Sequence, residues 1–272
     1  MKQLLVSGYG DIARRAEQDL ERQFRVVRLA RRFGRDLDRP ETLDVEGTHA
    51  LLHGAPPAAS GDTDTRTASL LAALEKASIL PGRIVYVSTS GVYGDCGGEL
   101  VDESRPLAPR TPRALRRVDA ERQLAAWCAE RGAKLIVLRT PGIYSADRLP
   151  LERLRAGRPV LREEDDVYTN HIHADDLAGI ACRALQENAP AGVYNACDDT
   201  RMKMGDWLDL VADAAGLARP PRLARAALVE ANDFMSESRR LDNTRLKQAL
   251  GIKLRYPTVH EGLAHAQPAG ID

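Results

Sequence analysis

The chain has 272 residues, and its 39 lysines and arginines balance 39 aspartates and glutamates, so the formal net charge at pH 7 is zero. This balance disfavours a nucleic-acid partner bound through a generally basic surface. With 43% hydrophobic and 29% charged residues, the composition is that of an ordinary globular protein and excludes collagen, coiled coil and intrinsic disorder.

The cysteines and the first apolar run bear on the location of the protein. The four cysteines are far apart and form no C-x-x-C pair, which argues against a zinc site and against a disulfide scaffold and favours a reducing, cytoplasmic location. The apolar run at residues 3–6 is too short for a signal peptide or a membrane span, and no other segment approaches that length. We therefore expect no membrane partner.

Short apolar runs alternate with amphipathic segments along the chain, a pattern typical of βαβ units and a parallel sheet. The Gly, Pro and charged residues of segment 31–46 predict that the strand expected there is abbreviated or missing. Strands are predicted at 3–6, 25–29, 50–53, 84–88, 135–139 and 193–196, and helices at 11–23, 65–77, 115–131 and 175–185.

The predicted fold is α/β, a doubly wound parallel sheet of the Rossmann type with a small mixed C-terminal cap. Residues 1–145 and about 165–200 are expected to form a dinucleotide-binding core. Residues about 146–164 and 201–265 are expected to form a substrate-side cap that is interleaved with this core. The predicted helices of the later part lie at 149–156, 204–215 and 243–250.

The motif G-x-G-x-x-A at residues 8–13 lies between the first predicted strand and the first predicted helix. Gly8 permits a tight turn, and Gly10 lets the backbone approach a pyrophosphate. The unpaired N–H groups at the start of the following helix, which contains Asp11 and Ile12, would bind the negative charge of that pyrophosphate. The motif therefore predicts a nicotinamide dinucleotide cofactor.

The end of the second predicted strand bears on the choice of cofactor. No acidic residue follows it until Asp36, whereas an NAD site usually places an acid there to bind the ribose 2′-hydroxyl. Arg28, Arg31 and Arg32 would instead bind a 2′-phosphate through charge-assisted hydrogen bonds. NADP is therefore the predicted cofactor and NAD the second choice. The alternative is that the three arginines form a solvated basic face.

Three motifs together carry a family resemblance. The segment I-V-Y-V-S-T-S-G-V-Y-G-D at residues 84–95 reads as a buried strand that ends in hydroxyl residues and a glycine turn. With L-R-T-P-G-I-Y at 138–144 and N-H-I-H-A-D-D-L-A at 170–178, it resembles the signature of the extended short-chain dehydrogenase/reductases, the nucleoside-diphosphate-sugar epimerase/dehydratase group. The resemblance covers roughly residues 1–260 and implies an NAD(P)-dependent oxidoreductase or epimerase.

The resemblance also implies site residues. It places Thr89 at the hydroxyl that touches the substrate carbinol and Tyr93 near the nicotinamide pocket. The histidines of H-x-H at 171–173 have metal-pair spacing, but the resemblance puts them before a helix, and we expect no metal. Further residues predicted to border the cofactor are Gly54, Ala55, Ser88, Thr140, Pro141 and Gly142. The residues predicted to bind substrate are Ser90, His171 and Arg240.

The family pairs that hydroxyl with Y-x-x-x-K on the next helix, and this chain departs from the pattern. None of its seven tyrosines has a lysine four residues later. Glu121 fits the glutamate that often follows the family motif, which places Arg117 at the lysine and Arg113 at the tyrosine. Arginine stays protonated and cannot act as a general base, but either side chain would bind an anionic substrate. A solvated helix face is the alternative for both.

Three interpretations remain open. The chain is an enzyme with a non-standard proton relay that acts on a nucleotide sugar or another anionic small molecule, or it is a catalytically silent NADP-binding sensor, or it is a structural subunit with a vestigial site. The intact glycine motif disfavours the third interpretation. The resemblance also suggests a homodimer. The residues considered as proton carriers are Thr89, Tyr93, His171 and His173.

Overall fold

The computed structural model describes residues 1–228 and 235–265, and a parallel six-stranded sheet lies at its centre. In chain order the elements are β1 (Gln3–Ser7), α1 (Asp11–Glu21), β2 (Arg25–Leu29), β3 (Thr48–His53), α2 (Thr65–Lys76), β4 (Arg83–Thr89), β5 (Leu100–Val101), α3 (Pro112–Arg131), β6 (Lys134–Thr140), β7 (Gly142–Tyr144), α4 (Leu151–Arg155), β8 (Val160–Leu161), β9 (Tyr168–Thr169), β10 (His171–His173), α5 (Ala174–Ala184), β11 (Gly192–Asn195), β12 (Met202–Lys203), α6 (Met204–Ala214), β13 (Arg222–Leu223), β14 (Arg240–Leu241), α7 (Thr244–Leu250) and α8 (Val259–Ala264).

The strand order of the central sheet is β11-β6-β4-β3-β1-β2, and all neighbouring pairs are parallel. The six predicted strands all form and all belong to this sheet. Within the described residues no strand follows β2 before β3, and the chain there makes two short 3-10 turns at Arg31–Phe33 and Pro40–Thr42. The strand order reverses between β1 and β3, which opens a crevice at the carboxyl ends of the strands.

Helices cover both faces of the sheet, which confirms the doubly wound arrangement. On one face α1 and α5 pack through small and aliphatic residues such as Ala16, Leu20 and Ile180. On the other face α2 and α3 pack through Leu70 and Leu124. The sheet core is apolar on both faces because parallel strands are covered on both sides.

The cap has an apolar core of its own. Leu154 of α4, Val160 of β8, Val211 of α6 and Val259 of α8 belong to one buried cluster. The predicted helix at 243–250 corresponds to α7, which packs through Leu246 and Leu250 on the core of the sheet. Part of the segment predicted as cap therefore lies against the central sheet, and the exact domain boundaries stay a prediction. Among the described residues, no helix combines the length and the apolar character that crossing a bilayer requires.

Candidate functional site

The turn between β1 and α1 has the geometry that its two glycines require. Gly8 has a φ of +83°, and a Cβ on it would lie 2.2 Å from the backbone nitrogen of Ala55. Gly10 is different, because the nearest atom to a Cβ there would be the Gly8 carbonyl oxygen at 4.0 Å. Gly10 therefore faces open space at the start of α1, where no side chain among the described residues caps the helix.

A small cavity of about 200 Å³ lies against this turn at the carboxyl ends of β1, β3, β4 and β6. Its walls combine the glycine turn, the first helical residues and the ends of three further strands, which fits the diphosphate of a dinucleotide. Two of the predicted cofactor residues are not part of this wall. Ala55 lies behind Gly8, and Gly142 lies outside the small cavity. The predicted site residues that line it are Gly8, Gly10, Asp11, Ile12, Gly54, Ser88, Thr89, Arg113, Arg117, Thr140 and Pro141.

A larger cavity of about 800 Å³ adjoins the small one and reaches under the cap. Thr89, Arg113 and Arg148 line both cavities, so they mark the junction between them. The predicted substrate residues Ser90 and His171 lie in the wall of the larger cavity, and so does Gly142. The wall residues that sequence reasoning missed include Arg148, Trp207, Glu237 and Arg239.

The two arginines of α3 differ in their surroundings. Arg117 is buried, and its Nη1 donates hydrogen bonds to the carbonyl oxygens of Ala55 and Val87 at 3.3 and 2.9 Å and to the Tyr86 hydroxyl at 2.9 Å. Arg117 thus connects the chain at the ends of β3 and β4 to α3 through hydrogen bonds.

Arg113 lies one helical turn before Arg117, and its side chain makes no hydrogen bond or ion pair within residues 1–228 and 235–265. Desolvation and the charge of Arg117 lower the pKa of Arg113. The wall of the small cavity therefore holds two neighbouring cations, Arg113 and Arg117, that pair with no carboxylate among the described residues, which favours an anionic ligand.

Thr89 and Tyr93, the predicted catalytic hydroxyl residues, lie in different places. The Thr89 hydroxyl accepts a hydrogen bond from the Gly91 backbone at 3.2 Å at the end of β4. Tyr93 is buried outside both cavity walls, and its hydroxyl donates to Asn195 at 2.8 Å and accepts from Arg139 at 3.0 Å. Desolvation raises the pKa of Tyr93 to about 12. Its position favours a packing role over the predicted catalytic one.

Beneath the site lies a buried charge pair. Glu121 of α3 accepts a hydrogen bond from Arg139 of β6 at 2.8 Å, and both side chains are less than 10% exposed. The Ser88 hydroxyl donates to the other Glu121 oxygen at 2.5 Å. This arrangement connects the end of β4, the middle of α3 and the end of β6, so it positions the strand that carries Thr89.

The three arginines after the glycine turn have distinct partners. Arg28 donates to Glu17 at 3.0 Å and to Glu21 at 2.6 Å. Arg32 donates to the carbonyl oxygen of Tyr9, inside the glycine turn, at 2.8 Å. The exposed side chain of Arg31 has no hydrogen bond or ion pair in the described part of the chain. Arg31 is therefore the one of the three without a hydrogen-bond partner in that part of the chain, and Arg32, with a single hydrogen bond, keeps further N–H groups available to a 2′-phosphate.

His171 lines the larger cavity but is unsuited to proton transfer. The ring is buried, its centroid lies 4.3 Å from that of Trp207, and burial lowers its pKa to about 3. It is therefore neutral near pH 7, and its Nδ1 has no partner among the described residues. His173 lies outside the wall, and its Nδ1 accepts the backbone N–H of Asp175 at 3.2 Å. Both histidines are poor candidates for the predicted relay.

The cap contributes Arg239 to the cavity in place of the predicted Arg240. Arg240 donates to the carbonyl oxygen of Gly98 at 2.7 Å and stacks over Tyr168, and it lies outside the wall. Arg239 lies in the wall and pairs with Glu237 at 2.7 Å. The adjacent arginines were visible in the sequence, but nothing in it indicated which one faces the cavity.

Comparisons with known proteins identify the family. A family model described as NAD dependent epimerase/dehydratase family matches residues 64–197. A 3-diazoavenalumate denitrifying reductase of a Streptomyces species is 30% identical over 246 residues, which cover 83% of this chain and 79% of that protein. The chain belongs to the NAD dependent epimerase/dehydratase family.

Other similar proteins extend this comparison. The GDP-6-deoxy-D-mannose reductase of Pseudomonas aeruginosa is 28% identical over 208 residues, 69% of this chain and 67% of that protein. A solved structure of a functionally unknown conserved protein from Silicibacter pomeroyi has a TM-score of 0.82 at 28% identity, with 98% of each chain covered. The structure of RMD from Pseudomonas aeruginosa complexed with NADPH has a TM-score of 0.75 at 21% identity, again with 98% of each chain covered, and shows the fold alone.

Membership of this NAD dependent family confirms the resemblance expected from the three motifs and the Rossmann-like fold. It also confirms a nicotinamide dinucleotide as the class of cofactor. The roles of individual site residues and the preference for NADP stay predictions, as does a homodimer.

Proposed function

We propose that this chain is an NADPH-dependent reductase that acts on an anionic small molecule with a carbonyl group, a nucleotide sugar being one such substrate. The observation that carries this proposal is Arg113, a cation at the junction of the two cavities that forms no ion pair with any described residue. The larger cavity, of about 800 Å³, has the size of a small-molecule site.

The chain's own residues suit carbonyl reduction. The bound cofactor would supply the hydride, and the carbonyl oxygen would then gain negative charge. Arg113 would stabilise that oxyanion as a permanently charged cation, and the Thr89 hydroxyl at the same junction would orient it. Water in the open cavity would supply the proton that completes the alcohol.

Proton exchange with the substrate, in either direction of the reaction, needs a titratable group at the same place, and three side chains of the cavity wall are poor ones. Arg113 cannot accept a proton, and His171 is neutral but has a pKa of about 3. The hydroxyl of Tyr144 is directed to the Thr258 carbonyl oxygen at 3.3 Å, and desolvation raises its pKa well above the usual value. We favour reduction over epimerisation because two curated relatives are named as reductases.

We expect NADPH to stabilise the protein more than NADH, because Arg31 is available to the 2′-phosphate. A ligand that binds only the native state raises its melting temperature by mass action, so thermal unfolding with each cofactor measures the preference. Arg31→Gln is expected to weaken NADPH binding about tenfold and to leave NADH binding unchanged. Arg28→Gln is the control, since Arg28 is occupied by Glu17 and Glu21. Equal shifts with NADPH and NADH would contradict the assignment.

Turnover is tested by NADPH absorbance with a panel of nucleotide 4-keto sugars and small keto acids. We expect Arg113→Ala to lower kcat/KM about 100-fold, since it removes a charged hydrogen bond to the substrate. Arg113→Lys, which keeps the charge, is expected to recover part of this loss. Arg110→Ala is the control because Arg110 is exposed and pairs with Asp95 at 3.6 Å, outside the cavity. An unchanged kcat/KM in Arg113→Ala would rule out the proposed role of this arginine.

The alternative function is a catalytically silent NADP-binding sensor. The observation that favours it is that three titratable side chains at or near the site, Tyr93, Tyr144 and His171, are all unsuited to proton transfer. A sensor would bind NADPH with the Arg31 dependence above, yet would oxidise it with no member of the substrate panel.

A further inference from the structure

Asp11 places a negative charge at the start of the helix that faces the small cavity. Its carboxylate lies in the wall where the proposed function puts the two negative phosphates of NADPH. Three arginines surround it: Arg15 at 3.1 Å, Arg148 at 3.2 Å and Arg14 at 3.8 Å. An acid at this position is unfavourable for a diphosphate unless a neighbouring cation compensates it.

Only one of these arginines lines the cavity. Arg148 lies in the walls of both the small and the larger cavity, whereas Arg14 and Arg15 lie in neither. Arg14 is exposed on the outside of α1. Arg15 is occupied by Asp175 and Asp147, each at 2.7 Å, and by the Ser145 hydroxyl at 3.2 Å.

We propose that Arg148 is a second binding element for the cofactor diphosphate, which it reaches by leaving Asp11. Within the described residues the Arg148 side chain makes a single hydrogen bond, to Asp11, so most of its N–H groups are available. The planar guanidinium of Arg148 can donate two parallel hydrogen bonds to phosphate oxygens. The exchange replaces a partly exposed carboxylate with a partner of higher negative charge. This proposal deepens the proposed function and rests on it.

The turn that carries Arg148 is held in place independently of Arg148 itself. Asp147 accepts from both Arg15 and the Ser145 hydroxyl, at 2.7 and 2.6 Å, and the Ser145 bond together with Arg15 holds the pKa of Asp147 below its usual range. Arg15 of α1 thus holds the backbone of the turn, and the Arg148 side chain takes no part in this contact. Because Arg148 also lines the larger cavity, the cofactor would set the position of one cation that the substrate meets.

The test compares Arg148→Gln with Arg14→Gln, which removes an equal charge from the neighbourhood of Asp11 without altering the cavity wall. Binding of NADPH is measured by isothermal titration calorimetry, and binding of adenosine 2′-monophosphate, which has no diphosphate, is measured by displacement of NADPH. We expect Arg148→Gln to weaken NADPH binding about tenfold or more and to leave adenosine 2′-monophosphate within about twofold. Arg14→Gln is expected to leave both ligands within about twofold.

Asp11→Asn supplies a second arm that does not depend on loss of binding. It removes the competing carboxylate, so we expect NADPH to bind a few-fold more tightly in the otherwise unchanged protein and to gain less in the Arg148→Gln background, where only the direct repulsion between Asp11 and the diphosphate is relieved. Equal NADPH affinities for Arg148→Gln and Arg14→Gln would overturn the role of Arg148, as would an equal loss for adenosine 2′-monophosphate. If the unchanged protein itself fails to bind NADPH, the proposed function fails as well, so the two failures are distinguishable.

Discussion

Replacing Gly10 by valine is expected to abolish NADPH binding while the protein stays folded. A Cβ at this position would have the Gly8 carbonyl oxygen at 4.0 Å as its nearest neighbour, and the Gly10 backbone is extended, with a φ of −93°. The branched side chain therefore fits the fold but fills the space in which the backbone would meet the diphosphate. We expect affinity for NADPH to fall by more than about 100-fold, while the melting temperature without cofactor changes little.

Gly8→Ala is the matched comparison, because it adds a smaller side chain to the same turn. Its Cβ would lie 2.2 Å from the Ala55 nitrogen, and the φ of +83° is strained for any L-residue. We expect this variant to be destabilised even without cofactor. Calorimetric binding and thermal unfolding of both variants separate the two effects. Tight NADPH binding by Gly10→Val would show that the diphosphate lies elsewhere and would remove the basis of the proposed function.

The parts of this site that the sequence predicts are those set by the backbone. Apolar runs and turn residues locate the six strands, and the carboxyl ends of parallel strands must meet at one edge of the sheet. Gly8, Thr89 and Thr140 each follow or end such a strand, so their approach to one cavity follows from topology. Helical spacing also predicts which side chains lie on the same face. Arg113 and Arg117 are four residues apart, and both line the small cavity.

The sequence did not predict the direction in which side chains of the cap and the loops point. Arg239 and Arg240 are adjacent in extended chain, where successive side chains point to opposite sides, and only the pairing of β14 with β5 decides which one faces the cavity. Arg148 lies in a turn whose position depends on the ion pair between Asp147 and Arg15 of a distant helix. The sequence also did not predict the partners of Arg28, because Glu17 and Glu21 contact it only after α1 packs beside β2.

Glu121→Ala is expected to cause the largest loss of stability among the variants considered. It leaves Arg139 as a buried cation without its carboxylate, and it removes the acceptor of the Ser88 hydroxyl. Breaking a buried pair by removing one partner costs about 3–5 kcal/mol of unfolding free energy, because the remaining charge is desolvated without compensation. Urea denaturation followed by circular dichroism measures this loss. Glu99→Ala is the control, since the Glu99–Arg105 pair is largely exposed and its loss is expected to change the unfolding free energy little.

The double variant Glu121→Leu with Arg139→Met separates the cost of the unpaired charge from the value of the pair itself. Replacing both members of a buried ion pair by apolar residues of similar volume is often neutral or stabilising, so we expect most of the lost stability to return. Turnover is expected to stay low, because Ser88 has lost its partner and Tyr93 has lost the guanidinium that donates to its hydroxyl. Recovered stability with reduced kcat would assign the pair a positioning role beneath Thr89. Recovery of both would show that Thr89 is held by the strand alone.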